Sequence, residues 1–292
     1  MSSGDAFQRR ARRSRVASLV SWASLLTLVA AVAQPVSLAH AGTPQTCKGV
    51  AGCKPFAATV GTPDSRKPSG MAPPSVGALA NYKRNYVADF NGSSLPRGWS
   101  TYSGQPGSDP GTEWQARQVV VSKGVLDLKV SLDRSTNEWI TGGASGGPTV
   151  TYGAYFVRSR LSAPGPTIVE SLWPSEQVWP PEIDFNETYG PVNTSMATVH
   201  FTAANKVDYR TVDINMTKWH TWGVIWTPRS ITYTVDGRVW GTVGARDEIP
   251  DIGMHLAIQQ QTWCSQKYAC PKAGSSAEID WVAEYRPDTQ SK

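Results

Sequence analysis

The run Glu182-Ile183-Asp184-Phe185-Asn186-Glu187 places three carboxyl groups within six residues, separated by apolar or small polar side chains. Ile183 and Phe185 favour a strand. Side chains alternate faces along a strand, so Glu182 and Asp184 point one way and Glu187 the other. A β-bulge near Asn186 would bring Glu187 onto the shared face, and bulges recur beside active sites. Two carboxyls on one surface are what glycoside hydrolysis requires, one to protonate the leaving oxygen and one to act as base or nucleophile. The same six residues also fit a solvated edge or a Ca²⁺ site built from oxygen ligands.

The elements that would position these groups are strands. Gln118-Val119-Val120-Val121 and Val125-Leu126-Asp127-Leu128-Lys129-Val130 flank Lys123-Gly124, a hairpin signal. Ile231 to Val235 and Arg238 to Val243 flank Asp236-Gly237, the pair favoured in two-residue type I′ turns. No long segment has a 3.6-residue apolar period. Many short strands with Gly and Pro turns predict an all-β sandwich or barrel. Trp222, Val224 and Trp226 share one strand face, which predicts core packing.

The runs around the acidic hexapeptide add a resemblance. Tyr152-Gly153-Ala154-Tyr155-Phe156-Val157-Arg158, Thr198-Val199-His200-Phe201, Trp219-His220-Thr221-Trp222 with Val235-Asp236-Gly237, and Glu278-Ile279-Asp280-Trp281 surround Glu-x-Asp-x-x-Glu. Together, over about residues 84–287, they resemble glycoside hydrolase family 16 in its laminarinase-like, bulged form. The resemblance implies a two-sheet antiparallel jelly roll of the concanavalin A-like lectin/glucanase type. It implies Glu182 as nucleophile, Asp184 as the helper that tunes it and Glu187 as general acid/base. It also implies a secreted, endo-acting, retaining hydrolase of a β-linked polysaccharide, with β-1,3- or mixed β-1,3/1,4-glucan first. A galactan hydrolase or a transglycosylase of the same family, and a non-catalytic carbohydrate-binding sandwich, remain alternatives. A retaining mechanism needs the two carboxyls ~5–5.5 Å apart, whereas strand rise alone separates their Cα atoms by over ~13 Å.

Candidate substrate-binding residues follow. His200 reads either as a proton or sugar partner beside Glu187 or as a polar residue bonded within the sheet. Arg158 reads either as a fork orienting a carboxylate or as half of a structural ion pair. Trp173, Trp179 and Trp263 sit beside Pro, Ser or a loop Cys, where flat rings could cover the apolar faces of sugars. Gln259 and Gln261 have the strand parity of Trp263, so that face would be polar and aromatic together.

Residues 1–41 read as an export signal: Arg9, Arg10, Arg12, Arg13 and Arg15, an apolar stretch from Val16 to Ala33, and a small-x-small site ending at Ala41. Arg12-Arg13 hints at twin-arginine export. The apolar stretch of 18 residues is near the lower limit for spanning a bilayer, so no stable membrane anchor is expected. The whole chain is +5, but residues 1–41 hold five Arg and one Asp, which leaves 23 basic and 22 acidic residues, net +1. That balance gives no support for a nucleic-acid partner. Residues 42–83, rich in Pro, Gly and Ser, read as a linker or tail, and the packed domain is expected over 84–292. In an exported chain Cys47, Cys53, Cys264 and Cys270 read as disulfides; of three connectivities, local pairing is expected. No cofactor is required. A structural Ca²⁺ is possible without being predicted, and a monomer is expected.

Overall fold

Nineteen strands form among the described residues. The computed structural model describes residues 60–75, 81–107, 111–163, 167–189, 193–264, 270–271 and 273–288. All belong to one unit of the chain, Ala41–Lys292. The expected signal and the Cys47–Cys53 pair lie outside the described residues.

In chain order the strands are β1 (Thr62–Pro63), β2 (Met71–Ala72), β3 (Tyr82–Ala88), β4 (Ser100–Thr101), β5 (Thr112–Trp114), β6 (Val119–Ser122), β7 (Val125–Asp133), β8 (Glu138–Thr141), β9 (Gly143–Val150) and β10 (Gly153–Leu161). They continue as β11 (Thr167–Pro174), β12 (Glu182–Glu187), β13 (Thr194–His200), β14 (Val207–Asp213), β15 (His220–Thr227), β16 (Ser230–Val235), β17 (Arg238–Val243), β18 (Met254–Gln261) and β19 (Ser275–Pro287). Seven strands form one sheet in the order β14-β13-β12-β11-β18-β9-β4. Ten form the other, β17-β16-β15-β10-β19-β7-β8-β5, with β3 also paired to β19 and β6 to β7. Pairing is antiparallel except between β5 and β8. This is the two-sheet antiparallel jelly-roll sandwich expected from the sequence.

The predicted hairpins form. Lys123-Gly124 and Asp236-Gly237 all have positive φ, as a type I′ turn demands, and join β6 to β7 and β16 to β17. The core lies between the sheets. Leu126, Leu128, Tyr155, Val157, Trp222, Val224 and Trp226 from the ten-stranded sheet meet Ile168, Leu172, Ile183, Phe185, Val199 and Ile258 from the seven-stranded one. Each is the inward half of an alternating strand. Trp222 and Trp226 are fully buried, as the shared strand face predicts.

The ten-stranded sheet is buried on its outer face as well. Ala154, Phe156, Ile225, Trp281, Ala283 and Tyr285 form a second apolar cluster there. The linker reading of 42–83 fails for residues 60–75, which are bonded to this face. Trp281 Nε1 donates to Met71 O at 2.7 Å, Tyr285 Oη to Pro74 O at 2.5 Å and Thr221 Oγ1 to Val60 O at 2.6 Å. Ser69 N donates to Asp280 Oδ2 at 3.0 Å, and Lys67 pairs with Asp89 at 3.2 Å. Backbone carbonyls of this segment accept from Trp281, Tyr285 and Thr221, while its own Ser69 and Lys67 donate to Asp280 and Asp89. Packing on the sandwich therefore includes residues upstream of 84: the 60–75 segment lies here, and β3 starts at Tyr82.

Candidate active site

The three carboxyls lie on β12, between β11 and β13 in the seven-stranded sheet. The register supplies the extra residue needed to bring them to one face. Against β11, Ser171 pairs with Asp184 and Glu170 with Asn186, so Phe185 has no opposite number. Against β13, Asp184 pairs with Thr198 and Glu187 with Met196, and the shift falls between them. Ile183 and Phe185 belong to the core cluster, and Asn186 beside Phe185 is wholly buried. With two successive side chains turned inward, Glu187 joins Glu182 and Asp184 on the outward face.

Each carboxyl has its own partner. Trp179 Nε1 donates to Glu182 Oε2 at 3.0 Å. Asp184, 2% exposed, receives His200 Nε2 at 3.2 Å. The other ring nitrogen of His200, Nδ1, lies 2.6 Å from Asn205 Oδ1. Both nitrogens thus face acceptor oxygens, the pattern of an imidazolium. Glu187, 7% exposed, is hydrogen-bonded by Tyr189, whose ring lies 5.4 Å from that of Trp263.

These surroundings set the charges. Burial raises Glu187 to about 7, with the Tyr189 hydrogen bond holding it lower than burial alone would. Burial also raises Glu182 well above the usual carboxylate range, and the neighbouring Asp184 charge raises it further. Asp184 rises to about 6 because of burial, opposed by its hydrogen bond from His200. Oxygens of Glu182 and Asp184 lie within 4.8 Å of one another, close enough that the two carboxyls titrate as a pair. Burial opposes the His200 imidazolium, but the hydrogen bond and charge of Asp184 outweigh it and raise His200 to about 9.

Oxygens of Glu182 and Asp184 and a nitrogen of His200 fall within 4.8 Å of one another, close enough to meet a divalent ion. His200 Nε2 faces Asp184 and Nδ1 faces Asn205 Oδ1, so both ring nitrogens already have oxygen partners. The arrangement suits proton and nucleophile chemistry better than metal chemistry.

The other sequence candidates divide. Trp179, 36% exposed, stands over the site with its ring 5.7 Å from His200. Trp173 is half-buried on β11, opposite His255, and donates to Gln177 Oε1 at 3.1 Å. Trp263 is packed on Tyr189 and only 8% exposed, so it backs the residue that contacts Glu187. Gln259 and Gln261 pair with Val169 and Thr167 of β11; Val169 is also opposite Glu187, which puts Gln259 in the row of Glu187. Gln261 is one row further along and buried. Arg158 is not at the site. It lies on β10 of the other sheet, where strand parity groups it with Ala154 and Phe156 on the outer face. There it is hydrogen-bonded to Thr221 at 3.2 Å and lies 3.6 Å from Asp236, the ion pair that was its alternative reading. Cys264 and Cys270 lie at bonding distance, as local pairing predicts.

Three residues of the site escaped the sequence. Asn205 reaches His200 from the turn after β13. Tyr189 stands two residues beyond Glu187, where its proximity was a usable signal. Tyr102 comes from far upstream and lies against Gly143, where any Cβ would meet its ring at 2.4 Å. Burial raises the Tyr102 hydroxyl, which hydrogen-bonds to Ser145 and lies close enough to Glu182 to feel its charge.

The family profile described as "Glycosyl hydrolases family 16" matches residues 107–283. Among solved structures, the laminarinase from Rhodothermus marinus is 20% identical with a TM-score of 0.63, covering 70% of this chain and 97% of its own. The catalytic domain of an endo-1,3-β-glucanase (laminarinase) from Thermotoga petrophila RKU-1 is 14% identical with a TM-score of 0.63, covering 72% and 100%. A prokaryotic β-1,3-1,4-glucanase (lichenase) derived from a mouse hindgut metagenome is 19% identical with a TM-score of 0.59, covering 69% and 98%. At these identities the likeness is one of fold. A search of curated proteins gave no match.

Proposed function

The chain belongs to glycosyl hydrolase family 16, and we propose that it is an exported, endo-acting, retaining hydrolase of β-1,3- or mixed β-1,3/1,4-glucan. Membership makes it a glycoside hydrolase. The observation that supports the finer reading is the register shift that sets Glu182, Asp184 and Glu187 on one face of β12.

In this reading Glu182 attacks the anomeric carbon while Glu187 passes its proton to the departing glycosidic oxygen. A glycosyl ester on Glu182 and a shortened sugar chain result. Glu187, now a carboxylate, takes a proton from water; that water attacks the anomeric carbon and frees Glu182. A carboxyl raised to about 7 is protonated in much of the enzyme at neutral pH, as the first step needs. Attack also needs Glu182 ionised, so the proton of the Glu182–Asp184 pair rests on Asp184 at that moment and Asp184 donates it as a hydrogen bond. Trp179 N–H supplies a second donor to Glu182, and its exposed ring can cover the apolar face of a sugar. The glucan assignment rests on this site together with the names of the similar structures, laminarinases and a lichenase.

Reducing-end release measured on laminarin, lichenan, agarose and carrageenan tests the substrate. Release from laminarin or lichenan, with internal cleavage products, is expected. Release from agarose or carrageenan alone would move the substrate to galactans, and no release from any of the four would favour a sugar-binding sandwich.

A further inference from the structure

One buried carboxyl has no part in that mechanism. Glu170 of β11 is 0% exposed and alternates with Ile168 and Leu172, both core residues. A carboxyl among apolar side chains is costly unless it is bonded there. Ser159, from β10 of the facing sheet, donates to Glu170 Oε1 at 2.5 Å. Directly opposite in the register is Asn186, at the point where β11 and β12 slip by one residue. The Asn186 amide lies close enough to the Glu170 carboxyl to lower it, while Glu170 Oε2 and Asn186 Nδ2 are both buried without a hydrogen bond of standard geometry. Ser195 of β13 donates to Asn186 Oδ1 at 2.7 Å. The group connects β10, β11, β12 and β13 behind the site.

Asn186 is the residue that must face inward for Glu187 to face outward. An amide turned into a dry core is unfavourable without polar partners. Ser195 bonds the amide oxygen, and the Glu170 carboxyl stands opposite as the polar group nearest the amide nitrogen's side of the register. With an apolar side chain at position 170, the amide would lose its opposite partner and the inward turn would lose its advantage. We infer that Glu170 is a positioning residue for Glu187, acting through Asn186 to hold the register shift; this rests on Glu187 being the general acid. Burial raises Glu170 to about 8, so near neutral pH it is a largely protonated carboxyl, able to donate as well as to accept. A glutamine has the same shape and both capacities.

The test compares the full chain with its Glu170→Gln, Glu170→Leu, Asn186→Ala and Glu187→Ala variants. The substrates are the polysaccharide that the parent cleaves best and a dinitrophenyl glycoside of a matching oligosaccharide. Only the first depends strongly on proton donation to the leaving group. Near-UV circular dichroism and melting identify the folded variants. Glu170→Leu should lose about tenfold or more in kcat/KM on the polysaccharide, a fraction of the ~10²–10⁴ that acid catalysis is worth. On the aryl substrate it should stay within about threefold of the parent, since departure there needs little acid. Asn186→Ala should show the same split, which keeps the test valid if Glu170→Leu does not fold. Glu170→Gln should stay within about twofold on both substrates, the neutral acid and the amide having equivalent hydrogen-bonding capacity. Equal losses on both substrates, or no loss in either folded variant, would overturn the inference and leave Glu170 as packing. Failure of Glu187→Ala itself to show the split would instead remove the acid assignment on which the inference rests.

Discussion

His200 shows how much of the proposed chemistry depends on one neighbour. Its Nε2 faces Asp184, its Nδ1 faces Asn205, and it remains charged through neutral pH. That charge lowers both Asp184 and Glu182, opposing the upward push of burial. The pair must carry one proton for attack, so activity falls on the acid side as a second proton arrives. Activity falls on the alkaline side as Glu187 loses its proton near about 7. His200→Asn removes the lowering influence, so the acid limb of kcat/KM should move to higher pH. The alkaline limb should keep its place or rise slightly, since His200 also lowers Glu187. A pH profile whose acid limb stays in place, or moves down, would separate His200 from the pair. The carboxyls themselves were legible in the sequence because six consecutive residues carry them. Asn205 and Tyr102 were not, because their places depend on a turn and on a distant strand crossing Gly143. Arg158 misled for a related reason: a strand shows its alternation in sequence but does not show which sheet it joins.

The two strands of the hairpin β1–β2 are only two residues each, yet they stand over the aromatic outer face of β10 and β19. Composition made this stretch look like a spacer, because Pro, Gly and Ser carry no apolar pattern. Much of its binding is by backbone carbonyls, and no side-chain periodicity announces that. Trp281 and Tyr285 each donate to it, and both are fully buried. A chain beginning at residue 81 would uncover rings that bury ~150–250 Å² apiece, at a cost on the order of several kcal/mol. Such a chain should melt well below one that begins near residue 42, and it should be more prone to aggregate. Equal melting temperatures would show that the 60–75 segment adds nothing to the sandwich. In β12 the register shift falls between Asp184 and Glu187, the stretch in which the sequence predicts a bulge.

The sandwich as a whole stores several carboxyls where water does not reach them. Burial raises Asp184 to about 6, Glu187 and Glu284 to about 7 and Glu170 to about 8, from ordinary values of 3.8 for Asp and 4.5 for Glu. The folded chain therefore keeps protons that the unfolded chain gives up. Their contribution to stability is complete below about pH 4 and is lost as the pH rises through those folded values. His200, raised to about 9 from 6.5, has the same sign, its share being present below its unfolded value and lost toward pH 9. The melting temperature should thus be higher near pH 5 than near pH 8.5, and Glu170→Gln should flatten part of the fall. A melting temperature that rises across that range would contradict the burial described for these groups. The general architecture was legible because hairpin signals and alternation recur along the chain. The carboxyls at 170 and 284 gave no such signal, because a buried acid and a surface acid look alike until the sheets are paired.

The proposed division of labour between Glu182 and Glu187 is tested most directly by azide rescue. Each residue is replaced by alanine, an activated β-aryl glycoside is supplied with sodium azide, and the anomeric configuration of the glycosyl azide is read by NMR. Without the nucleophile, azide occupies its side of the sugar, so Glu182→Ala should give the inverted α-glycosyl azide. Without the acid/base, the ester on Glu182 still forms and azide then displaces it, so Glu187→Ala should give the retained β-glycosyl azide. The same configuration from both variants, or, without azide, parent-like activity of Glu182→Ala on the aryl glycoside or of Glu187→Ala on the polysaccharide, would contradict the assignment.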